Sequence, residues 1–85
     1  MYVSARFFNE KAGGYVGRDY TYRTVLPLVV GDQVLVPTGN DDGDKRALIT
    51  AVNLPDDAVK PEWADRVKTI TKYDDTVENS RRTVI

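Results

Sequence analysis

The 85-residue chain contains neither cysteine nor histidine. Without cysteine there is no disulfide and no thiolate metal site. Small secreted domains usually need such cross-links, so the expected setting is cytoplasmic. Without histidine, Ser-His and Cys-His nucleophile pairs and histidine-ligated zinc are excluded. Long apolar runs are missing as well; the longest are a few residues, such as Leu28-Val29-Val30. A membrane-crossing helix needs about 20 apolar residues, so no membrane partner is expected. The start, Met1 to Arg6, lacks a charged segment followed by an apolar one, so no secretory signal is expected. Charge of one sign is scarce too: 12 basic and 13 acidic residues leave a net charge of −1. A protein that coats nucleic acid is normally basic, because neutralising phosphates supplies most of its non-specific affinity. The balance counts against a coating role and leaves room for a local contact. No spacing of paired carboxylates asks for hydrolysis, so neither enzymatic activity nor a cofactor is expected.

What remains is an ordinary globular composition, 41% hydrophobic and 29% charged. Its length fits one domain with a thin core, expected over residues 1–78, with 79–85 as a tail or a last short strand. Residues 1–9 alternate, with Val3, Ala5 and Phe7 on one face and Tyr2, Ser4, Arg6 and Phe8 on the other. The Gly13-Gly14 pair marks a hairpin loop or flexible tip. A second strand is expected over 18–24, where Tyr20, Tyr22 and Thr24 share a face. Pro27 lacks an N–H, so 25–30 reads as an edge or an arch. Gly31-Asp32 is a turn signal, and 33–37 and 46–53 form the two strands of a hairpin around an acidic tip. Pro61 suits the first turn of a short helix over Glu62 to Asp65. A fifth strand is expected over 67–73. The fold class is therefore all-β with at most one short helix, a small five-stranded barrel or a strongly bent antiparallel sheet.

Several residues carry possible chemistry. Tyr20 and Tyr22 are placed to stack on bases if exposed; otherwise they cover one end of the core. Arg6, Lys11, Arg18 and Arg23 give the first 24 residues a basic excess around those tyrosines, or simply a solvated strand face. Asn40-Asp41-Asp42-Gly43-Asp44 resembles a calcium loop in composition only. With Gly43 at the sixth position, the first and twelfth are Thr38 and Ile49, which cannot serve. Asp32, a lone carboxylate beside Gly31, reads as a turn residue. Trp63 is either a cover for the sheet or an anchor for a protein partner. Val84 and Ile85 are a loose end or an added edge strand for a partner or a second copy.

The order Tyr20-Thr21-Tyr22, then Gly31-Asp32-Gln33-Val34-Leu35-Val36-Pro37-Thr38-Gly39, then a strand ending at Val52, then Lys68 resembles one known family. This is the N-terminal domain of the primosomal helicase PriA, a small β-rich module that recognises the free 3′ end of a DNA strand. The resemblance spans roughly residues 18–74. It implies that Tyr20 and Tyr22 match the family's two aromatic positions, Gly39 its turn glycine near the nucleotide, and Lys68 its strand lysine. The family's acidic residue between the aromatics is Thr21 here, and its aromatic before the glycine is Thr38. That pattern fits a stand-alone relative, such as a phage encodes, that kept the scaffold and changed the partner. Two functions are therefore expected. One is a binding module for single-stranded DNA or a DNA 3′ end, using Tyr20, Tyr22, Gly39 and Lys68 with Arg18 and Arg23. The other is a protein-interaction or inhibitory module that meets a host protein or itself through an edge strand or an acidic surface.

Overall fold

The computed structural model describes residues 1–37 and 44–74. Each long strand follows from a two-residue alternation that can bury only one face. In β1, Tyr2–Asn9, Val3 and Ala5 are buried and Phe7 packs against the same core. The chain turns back at once. Gly13 adopts φ 71° and donates its N–H to the Asn9 carbonyl at 2.9 Å, while the Asn9 side chain accepts from Ala12 at 3.1 Å. This tight turn lets β2, Gly14–Tyr15, pair with β1, placing Phe8 opposite Tyr15. In β3, Tyr20–Thr24, Tyr22 and Thr24 are buried, and the strand runs antiparallel to β1 with Val3 opposite Tyr22.

Residues 25–30 form the arch between β3 and β4. Leu28 anchors it in the core, while Val25 is 91% exposed. Its exit is the expected turn. Asp32 is buried; its carboxylate accepts the Val29 N–H at 3.0 Å and its backbone exchanges bonds with Val29 and Ile49. The positive φ of Gly31, 99°, is a backbone region that residues with a Cβ avoid. β4, Gln33–Pro37, buries Val34 and Val36, and pairs antiparallel with β5, Asp44–Leu54. The expected hairpin is thus present.

β5 has eleven residues and also pairs with β1 on its other side. Two register shifts against β1 give β5 an extra residue each time, once between Leu54 and Ala51 and once between Ala51 and Ile49. Asn53, at φ 53°, takes the left-handed conformation in the first of these bulges. Bulges bend a strand and increase its twist, and this curls the sheet over its own face.

Beyond Leu54 come two 3₁₀ segments, Asp56–Ala58 and Pro61–Arg66, the second covering the residues where a short helix is expected. Pro61 does occupy the first turn. The expected strand over 67–73 is divided. β6, Thr69–Ile70, runs parallel to β3, and β7, Lys72–Tyr73, runs antiparallel to β4. The reason is burial. Ile70 and Tyr73 are both buried, yet a continuous strand sends residues three apart to opposite faces. A break at Thr71 turns both inward.

The strand order is β6-β3-β1-β5-β4-β7, with β2 beside β1. Because β6 and β7 are consecutive in the chain, the two ends of the sheet meet, and the sheet nearly closes into a barrel. The all-β barrel expectation is met, with seven strands among the described residues instead of five, and one parallel pair. The core is Val3, Ala5, Tyr22, Leu28, Val34, Val36, Ala47, Ile49, Ile70 and Tyr73. Among the described residues, no helix is long and apolar enough to cross a membrane.

Candidate nucleic-acid interface

Each long strand presents a row of side chains to the barrel interior, and at one end of the barrel the apolar rows give way to other chemistry. The β1 row of Val3 and Ala5 ends at Phe7. The β3 row of Thr24 and Tyr22 begins at Tyr20. The β5 row of Ile49 and Ala47 begins at Lys45. Lys68 stands one alternation before Ile70 of β6. These four residues, with Phe8, Val16, Tyr22 and Pro37, line a cleft of about 540 Å³ at the mouth of the barrel.

The cleft has a firm aromatic floor. The Tyr20 ring lies 5.5 Å from that of Phe7, and Tyr22 meets Phe7 edge-on at 6.4 Å. Tyr22 is buried, whereas Tyr20 is 44% exposed and offers its ring to solvent. Burial pushes the Tyr22 phenol up to about 12, with a smaller contribution from Tyr20, so it stays a neutral hydroxyl at physiological pH. The cations stand at the rim. Lys45 and Lys68 are exposed, and neither makes an ion pair among the described residues.

Of the residues expected to bind nucleic acid, three meet in this cleft: Tyr20, Tyr22 and Lys68. Arg23 does not. It projects from the other face of β3, 5.7 Å from the centre of the Tyr2 ring, and donates to the Ala64 carbonyl at 3.2 Å. Arg18 is exposed just before β3 and is not part of the cleft lining. Arg6 is held by Asp19 at 2.8 Å on the outer face of β1. The basic excess of the first 24 residues is therefore not gathered at the cleft: Arg6 and Arg23 project from the outer face of the sheet, and Lys11 and Arg18 stand outside the strands. Thr21 also lies away from the cleft, beside Ala58, Val59, Lys60, Trp63 and Val67. Gly39, Thr38 and the acidic tip at 40–43 lie outside the described residues, as do Val84, Ile85 and the boundary expected at residue 78.

Trp63 is half-exposed on its 3₁₀ segment, with the Arg66 guanidinium 5.1 Å above its ring. It lines a separate depression that shares no residue with the cleft.

The other six cleft residues escaped the sequence reading, among them Phe7, Phe8 and Lys45. Lys45 carried a usable signal. It shares its phase with Ala47 and Ile49, and a lysine at the end of a buried row must stand at a mouth of the barrel. Phe7, in phase with Val3 and Ala5, is the same signal on β1. No family model, curated protein or solved structure matches this chain.

Proposed function

We propose that this chain is a non-catalytic binding module that takes single-stranded DNA, or the 3′ end of a strand, in the cleft at the barrel mouth. The observation that carries this is the convergence of an exposed Tyr20 on a Phe7 and Tyr22 floor with two exposed lysines at the rim that make no ion pair among the described residues. A nucleotide has a flat apolar face and an anionic phosphate, and the cleft offers a partner for each. Stacking contributes about 1–3 kcal/mol per base by alanine substitution. Two phosphate contacts, from Lys45 and Lys68, would give a logarithmic salt slope of roughly −1.4. The resemblance to the PriA end-binding domain supports the same placement, since Tyr20, Tyr22 and Lys68 are the positions it matches. Thr21 faces elsewhere, so the account relies on stacking and charge and not on an acidic contact to a terminal base.

The test is a titration by fluorescence anisotropy of labelled single strands with a free 3′-hydroxyl or a 3′-phosphate, at low and moderate salt. Wild type is compared with Tyr20→Ala and Lys68→Ala. A preference for the free hydroxyl that both substitutions abolish makes the chain an end binder like the PriA domain. Binding indifferent to the end, yet weakened by both substitutions, makes it a strand binder. No binding at low salt rules out the DNA function.

A second reading is favoured by a different observation. Val25, Val29 and Val30 are exposed along the arch, and Trp63 is half-exposed on its 3₁₀ segment. Such apolar side chains suit a protein partner. This is the interaction or inhibitory module of the phage type, and recovery of a defined partner that Trp63→Ala or Val25→Ser loses would support it.

A further inference from the structure

The cleft does not end at Phe8. A second depression of about 650 Å³ adjoins it, and Phe8, Asn9 and Lys45 line both. Its far side is formed by Glu10, Lys11, Asp44 and Arg46. The ridge between the two is built to stay in place. Phe8 packs edge-on to Tyr15 at 5.2 Å, and the Arg46 guanidinium lies 4.6 Å over its ring. Arg46 is in turn held by the buried Asp74 at 3.0 Å.

The charges of the second depression are unevenly committed. Asp44 is turned to Lys72 at 3.5 Å. Lys11 and Lys45 are exposed and make no ion pair among the described residues. Two cations therefore flank an aromatic ridge, with Asp44 engaged and Glu10 the one acid of the lining that makes no ion pair among the described residues. That is the arrangement of a backbone-tracking groove, in which rings take bases and ammonium groups take phosphates.

We propose that the two depressions form one track for a single strand several nucleotides long. One base stacks on Tyr20 in the first cleft, the backbone crosses Phe8 and Asn9 beside Lys45, and the next phosphates lie near Lys11. The track rests on the Tyr20 cleft being a base site, as proposed above.

The test uses oligothymidylates of two, four, six and eight nucleotides, measured by anisotropy at low salt against wild type, Tyr20→Ala and Lys11→Glu. Lys11 is exposed in the β1–β2 turn, so the substitution leaves the core untouched. The expected result is an affinity that rises about tenfold or more from two to six nucleotides, with a salt slope that steepens by roughly 0.7 for each added phosphate contact. Lys11→Glu should flatten the rise while leaving the dinucleotide within about twofold of wild type, whereas Tyr20→Ala should weaken every length. Wild-type affinity independent of length, or a rise that Lys11→Glu leaves intact, overturns the track and spares the cleft. Absence of binding at every length overturns both.

Discussion

Tyr20 packs its ring against Phe7 at 5.5 Å with a 49° tilt, joining the start of β3 to the end of β1 across the mouth of the barrel. The contact holds Tyr20 in one orientation without covering it, since 44% of the residue remains exposed. Its neighbour in the same row, Tyr22, is buried and meets Phe7 edge-on. One alternating row thus supplies both a structural tyrosine and an accessible one.

The division of labour predicts different stabilities. Tyr22→Ala removes a buried ring and should cost about 3–5 kcal/mol, as large-to-small aromatic changes in cores do. Tyr20→Ala should cost about 1 kcal/mol, the worth of an aromatic pair contact at a wet edge. Urea denaturation followed by far-ultraviolet circular dichroism separates the two. Equal losses would mean that Tyr20 is part of the core and not a free surface.

The pH dependence follows from Tyr22. Burial raises its phenol to about 12 in the folded protein, against about 10 unfolded. The unfolded chain then releases this proton first as pH rises. The contribution to stability is complete below pH 10 and declines as pH climbs from 10 towards 12. Unfolding free energies measured at pH 9 and pH 11 should fall in wild type and fall less in Tyr22→Phe. An equal fall in both proteins would place the proton linkage elsewhere.

Two ion pairs of similar appearance should behave differently. Arg46 meets Asp74, whose side chain is 2% exposed, whereas Lys72 meets an Asp44 that is one-third exposed. Removing Arg46 takes away one charged partner of a buried carboxylate and also uncovers the Phe8 ring. Arg46→Leu should therefore destabilise the fold by about 1–3 kcal/mol. Lys72→Leu should cost under about 1 kcal/mol, because exposed pairs are screened by water. Comparable midpoints for the two variants in urea would contradict this ordering.

Much of the fold is visible in the residue pattern, because alternation alone separates the buried from the exposed side of β1, β3 and β4. Val34 and Val36, or Val3 and Ala5, can be placed inside without any knowledge of their partners. The joints are harder. Nothing local in Val67 to Tyr73 announces a break at Thr71, since the break exists only so that Ile70 and Tyr73 reach the same interior from two different neighbours, β3 and β4. The bulges of β5 are similarly hidden, apart from Asn53, whose residue type tolerates the left-handed backbone. The site was half visible. Tyr20, Tyr22 and Lys68 stand out by type and order, but Phe7, Phe8 and Lys45 join them only when the sheet curls. Arg23 fails to join because it is one residue out of phase with the tyrosines it was grouped with.

The cleft can be mapped directly by nuclear magnetic resonance. Amide and aromatic signals of the labelled 85-residue chain would be followed during titration with a short single strand of DNA. If the barrel mouth is the binding site, shifts concentrate on Phe7, Phe8, Tyr20, Lys45 and Lys68, while Trp63, Arg23 and the Val25–Val30 arch stay unmoved. Shifts centred on Trp63 or the arch, or no shifts at low salt, would contradict it.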